Sequence, residues 1–151
     1  MPFWFTDDRR TIWDGRILSI LRIMTGLLFM QHGGQKLLGW FGGMPQGMTV
    51  SPFTQIWFAG VLELVGGLLI AIGLFTRPVA FLLCGEMAVA YFQAHFPRSP
   101  IPLVNQGELA VLYCFVFLYL AVRGAGPWSV DAMMGRDRVV TATDGVPRTA
   151  P

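Results

Sequence analysis

Six ionisable side chains stand where the chain is otherwise Leu, Ile, Val, Phe, Met, Ala and Gly: Arg22, His32, Lys36, Glu63, Glu86 and Glu108. The amides of Gln35 and Asn105 lie close to them in sequence. An ammonium or imidazole can donate to a carbonyl oxygen while a carboxylate takes up or releases the proton. Such a set suits binding a small lipophilic molecule and exchanging protons with it. Other chemistries lack their residues. Glu-x-x-His, the motif of carboxylate-bridged di-metal bundles, is absent, and His32 and His95 are poorly placed to share a haem. Cys84 and Cys114 form no C-x-x-C and no metal-ligand spacing. They read as buried free thiols, so neither disulfide redox chemistry nor a zinc site is expected.

The helical period decides how these groups can be presented. Arg22, Thr25, Phe29, His32 and Lys36 step 3-4-3-4 and share one face of a helix. Gly60, Glu63, Gly67, Ile70 and Leu74 do the same, and their small residues predict a close helix–helix contact with a carboxyl group inside it. Glu86 and Gln93 are seven apart and share a face, whereas His95 points roughly the opposite way. Asn105, Glu108, Leu112, Phe115 and Tyr119 make a fourth stripe. Gly85–Tyr91, GEMAVAY, is echoed by Gly107–Tyr113, GELAVLY, which supports an inward position for both glutamates. Phe29, Phe92, Phe115 and Tyr119 are the aromatic residues available to wall a ligand slot.

The elements carrying these stripes read as membrane spans. Of the 151 residues, 54% are hydrophobic and 13% charged, against about 25% charged in soluble domains. The expected fold is an all-α, integral membrane four-helix antiparallel bundle. Its spans fall at about 16–38, 55–75, 79–96 and 105–123, each near the roughly 20 residues that cross a bilayer. Residues 1–15 read as an amphiphilic cytoplasmic lead-in with Phe3, Trp4, Phe5 and Trp13 as interfacial anchors and Asp14 as a helix cap; 124–151 read as a cytoplasmic tail. No small-residue cleavage site follows a short apolar core, so the first span is expected to stay in place. Thr76-Arg77-Pro78 allows only a tight reversal between the second and third spans. Arg9, Arg10, Arg16, Arg77 and Arg123 flank one side and Arg98 the other, which puts both termini in the cytoplasm of an inner-membrane protein. A formal charge of +2 with scattered basic residues argues against a nucleic-acid partner.

A charge facing lipid at mid-membrane costs about 2.5–3.5 kcal/mol, so the stripes must face protein or a wet cavity. Depth counted along the helices pairs Lys36 with Glu108 and Arg22 with Glu86, and sets His32 and Glu63 in one intermediate layer. His32, Lys36, Glu63 and Glu108 are then expected to line one cavity near the outer face.

The stretches Leu21–Gly43 (LRIMTGLLFMQHGGQKLLGWFGG), Phe58–Ala80 (FAGVLELVGGLLIAIGLFTRPVA), Gly85–Phe92 (GEMAVAYF), Asn105–Tyr113 (NQGELAVLY) and Trp128–Met134 (WSVDAMM) resemble the DoxX family of small four-helix membrane proteins. The family takes its name from a subunit of an archaeal complex described as a terminal quinol oxidase and as a thiosulfate:quinone oxidoreductase. The resemblance implies an inner-membrane protein with a redox role near the quinone pool. It carries over Arg22, His32, Gln35, Lys36, Glu63, Glu86, Asn105 and Glu108 as the polar pattern. Two functions follow. In one, the cluster binds a quinone or similar ligand, with Lys36 and His32 donating to a ring oxygen and Glu63 or Glu86 carrying the proton. In the other, the protein is a non-catalytic membrane anchor or assembly subunit for a partner oxidoreductase. No haem, flavin, iron–sulfur or nucleotide motif is present in the sequence, so electron transfer needs a bound quinone and a redox partner protein. The sequence is compatible with a homo-oligomer and fixes no catalytic residue.

Overall fold

The computed structural model describes residues 7–44 and 47–136, with side chains described from residue 12 onward, and is all-α. The expected anchors Phe3, Trp4 and Phe5 and the tail beyond residue 136 lie outside the described residues. Helix α1 is Asp7–Leu38, α2 is Gln55–Ile72, α3 is Thr76–Ala90, α4 is the short Pro102–Asn105, α5 is Glu108–Arg123 and α6 is the single turn Val130–Met133.

Helix α1 runs through the expected boundary at residue 16 and through Asp14, which is therefore inside the helix and not its cap. Helix α2 is interrupted by a π-turn at Leu62–Gly66, and α3 continues into a second π-turn at Tyr91–His95. Each inserts an extra residue into the helical ladder and redirects the side chains on it. Among the described residues, one helix, Gln55–Ile72, is long and apolar enough to cross a membrane. By comparison α5 has 16 residues, α3 has 15 before its π-turn, and α1 carries the polar stripe.

Neighbouring long helices run antiparallel, as their contacts show. A Cβ placed on Gly26 would stand 2.4 Å from the Ala71 nitrogen, and one on Gly33 would stand 2.3 Å from the Leu64 nitrogen. Later residues of α1 thus meet earlier residues of α2, backbone on backbone. On the other flank Arg77, at the start of α3, donates to the Val122 carbonyl at the end of α5 (2.6 Å), while His95 Nδ1 donates to the Asn105 carbonyl before it (3.1 Å). The core between the two pairs is Phe29, Ile70, Leu83, Phe117 and Leu120, with the Phe29 and Phe117 rings edge-on at 4.8 Å.

The stripes of α1 and α2 are oriented as their spacing predicts; that of α3 is split, with Gln93 exposed in the π-turn that breaks the period after Glu86, and that of α5 faces outward. Arg22, Thr25 and Phe29 are buried, as are Gly60, Glu63, Gly67 and Ile70, and Glu86 is half-buried. On α5 the inward face is Ala110, Tyr113, Phe117 and Leu120, and Glu108, Leu112, Phe115 and Tyr119 are exposed. The polar residues misled because Asn105 belongs to a separate turn and Glu108 opens α5. There its charge favours the helix N-terminus and says nothing of which face is buried.

The C-terminal segment is tied in by Arg22. Its guanidinium is fully buried and donates to the carbonyls of Ala125 (2.8 Å), Ile70 (2.6 Å), Ala71 (2.6 Å) and Trp128 (2.5 Å). Two of these are carbonyls of the last turn of α2, where the i+4 amides of the helix interior have run out. That helix closes in a Schellman turn: Leu74 donates to the Leu69 carbonyl (2.9 Å) and Gly73, at φ 72°, to that of Ile70 (3.1 Å). Asp131, from α6, then accepts from the Phe75 (3.0 Å) and Thr76 (2.8 Å) amides and caps α3.

Candidate functional site

Lys36 and Glu63 form an ion pair in which the lysine is partly exposed and the glutamate nearly buried. Lys36 comes from the last turn of α1, and Glu63 from the π-turn of α2. The Gly60 and Gly33 contact brings these two helices close enough for the pair to form. The pair forms part of the wall of two separate clefts.

The larger cleft, about 790 Å³, lies between α2 and α3. It is almost wholly apolar, with Phe58, Phe81, Leu82 and Val89 among its exposed edges. Its polar interior consists of Lys36, Glu63 and Glu86. Neither carboxylate oxygen of Glu86 has a hydrogen-bond partner although both are buried, and Glu63 Oε2 is in the same condition. Buried polar atoms are nearly always paired, so an unpaired carboxylate in a cleft marks a place where something polar can be held. The smaller cleft, about 300 Å³, is lined by His32, His95 and Tyr113 beside the same ion pair. The His32 ring stands edge-on to Tyr113 with centroids 6.2 Å apart.

The residues singled out in the sequence separate into two groups. His32, Lys36, Glu63 and Glu86 converge on the clefts. Arg22 does not meet Glu86; backbone carbonyls take its place, because a planar five-donor fork satisfies several carbonyls at once. Lys36 pairs with Glu63 and not with Glu108, which is exposed and outside both clefts. Gln35 donates to the Gly43 carbonyl (2.9 Å) and steadies the turn after α1. Asn105 is a loop brace: its amide donates to the Ser99 carbonyl (2.7 Å), and its side-chain oxygen accepts from the Gly107 amide (2.7 Å).

Sequence reasoning passed over Tyr113, His95 and the proximity of the two cysteines. Tyr113 sat in view as the last residue of the GELAVLY echo, one step off the stripe assigned to α5. His95 lies in the π-turn that ends α3 and lines the second cleft.

A helical protein whose buried charges gather between helices with apolar outer faces is the class this geometry defines. The chain belongs to the DoxX family, whose model, described as DoxX, matches residues 17–96. It is 41% identical over 117 residues to an "Uncharacterized protein" of Haemophilus influenzae, covering 76% of this chain and 87% of that one. It is 28% identical over 113 residues to the "Putative oxidoreductase CatD" of Bacillus subtilis, covering 74% and 82%. It is 29% identical over 121 residues to the "Inner membrane protein YqjF" of Escherichia coli, covering 78% and 91%. No solved structure matches it.

Proposed function

We propose that this DoxX-family protein is a four-helix antiparallel bundle of the inner membrane that binds a quinone or similar lipophilic carbonyl compound in the cleft between α2 and α3. The observation that carries the reading is Glu86, whose two buried oxygens lack partners inside an otherwise apolar cleft beside Lys36. An apolar slot with a few convergent polar groups is the usual form of a small-molecule site. The ring oxygens of a quinone can accept from Lys36 and from Glu86 when protonated, and its hydrocarbon tail can lie along Phe58, Phe81 and Val89. Membrane residence is supported by the outer surface, where Phe81, Phe92, Leu112, Phe115 and Val122 are all more than 60% exposed. Continuous apolar exposure of that kind marks a lipid- or protein-facing surface. The name of the Escherichia coli relative points the same way, and that of the Bacillus subtilis relative supports redox chemistry. Arg77 and Arg123 at one end favour cytoplasmic termini, and an alkaline phosphatase reporter placed behind Pro151 is expected to be inactive. Activity there would reverse the topology.

The test is equilibrium binding of a short-chain quinone to the purified chain in detergent. Glu86→Gln is expected to weaken binding at least tenfold with thermal stability unchanged, since Glu86 has no partner to orphan. Lys36→Met is a poorer probe: it strands Glu63, and breaking a buried pair from one side costs about 3–5 kcal/mol. The double variant Lys36→Met/Glu63→Gln avoids that penalty and is also expected to lose binding. Unchanged affinity in Glu86→Gln would remove quinone from this cleft. Absence of any binding would leave the anchor function, with a partner oxidoreductase supplying the chemistry.

A further inference from the structure

Cys84 on α3 and Cys114 on α5 lie 30 residues apart in sequence, yet their sulfurs stand 3.6 Å apart. Both thiols are free and half-buried, and they are the chain's two cysteines. Cys84 also lines the larger cleft, two residues before Glu86. We propose that Cys84 and Cys114 form a redox-active dithiol that closes into a disulfide between α3 and α5, delivering its reducing equivalents to a quinone-class acceptor in that cleft. The acceptor half of this proposal rests on the ligand assigned above; the dithiol half does not.

A disulfide requires the sulfurs at about 2.05 Å, a closure of about 1.5 Å from the observed separation, which side-chain rotation on two packed helices can supply. The step is balanced. Two S–H bonds break and one S–S bond forms; the dithiol loses two electrons and two protons. The quinone gains both electrons and both protons and becomes the hydroquinone. The Cys84 thiolate adds to the quinone, and Cys114 then attacks that sulfur, forming the S–S bond as the sulfur–ring bond breaks and the ring leaves as hydroquinone. Glu86, in the same cleft, can take the thiol proton and return it toward a ring oxygen. The geometry also limits the product. With two cysteines in the chain facing each other, closure within one chain competes favourably with cross-linking between chains.

The purified full chain in detergent, reduced and held without oxygen, is treated separately with diamide and with a short-chain quinone. After denaturation, free thiols are counted with a maleimide reagent and the Cys84–Cys114 peptide pair is sought by mass spectrometry. Diamide is expected to remove both thiols and leave a monomer on a non-reducing gel. The quinone is expected to do the same while yielding one hydroquinone per chain, and Cys84→Ser or Cys114→Ser is expected to abolish that yield. Thiols that stay fully alkylable after diamide, or that give only dimers between chains, overturn the dithiol. A pair that closes with diamide but not with a quinone that still binds overturns the electron transfer while leaving the ligand assignment intact. A pair that closes with diamide while the quinone neither binds nor reacts overturns the ligand assignment and confirms the dithiol alone.

Discussion

Arg22→Met is expected to yield no stably folded protein after membrane extraction. The guanidinium holds four carbonyls from two distant segments: the last turn of α2 and the 125–128 stretch. A hydrogen bond to a charged group contributes about 1.5–3 kcal/mol, so the summed loss exceeds about 4 kcal/mol even with generous relaxation. Domains of this size hold only about 5–15 kcal/mol in reserve. The damage also propagates. Trp128 leads into Ser129 and Asp131, and Asp131 caps α3 through the Phe75 and Thr76 amides. Without Arg22 the segment that carries this cap is released. Arg22→Lys is expected to rescue in part, since an ammonium has three donors but no planar fork. Adding Glu86→Gln to Arg22→Met should give no rescue, because the two side chains do not meet. Size-exclusion profiles and thermal melts in detergent check each variant. A monodisperse Arg22→Met protein with unchanged melting would show that the carbonyls find other partners.

Gly33→Ala is the second large effect, expected to destabilise by about 3 kcal/mol or more, at the upper end of over-packing penalties. The new Cβ would stand 2.3 Å from the Leu64 nitrogen and 2.5 Å from the Gly60 oxygen. Both are backbone atoms and cannot rotate aside, so α1 and α2 must part. Gly26→Ala repeats the clash one heptad earlier, 2.4 Å from the Ala71 nitrogen. Glu63 sits on the same stretch of α2, one residue from Leu64, so parting the helices also pulls its carboxylate away from Lys36. Quinone affinity should therefore fall together with stability, unlike in Glu86→Gln, where affinity falls alone. Gly85→Ala is the control: a Cβ there meets nothing within 4 Å. It is expected to leave the melt unchanged or raise it, by up to about 1 kcal/mol of helix propensity. Equal melting temperatures for Gly33→Ala and Gly85→Ala would refute the close contact.

What the sequence by itself determined was the helical class, the family, and the inward faces of α1 and α2. Those faces were legible because polar and glycine residues recur at helical spacing within long uninterrupted segments, where an unfavourable exposed group has only one direction to hide. Partner choice was not legible. Depth along a helix fixes one coordinate, whereas meeting also requires rotation and distance. Arg22 was counted deeper than Glu86 and within reach of it only through its long side chain, but carbonyls nearer the guanidinium took its donors. Lys36 reached Glu63 because the π-turn at Leu62–Gly66 and the glycine contact brought that carboxylate to it, and one inserted residue leaves no mark in a hydrophobic pattern. The face of α5 was misread because Glu108 answers to the helix terminus and not to the core. The meeting of Cys84 with Cys114 depended on how α3 and α5 rotate against each other. Apolar residues on every side of both helices left that rotation open, and only tertiary packing decided it.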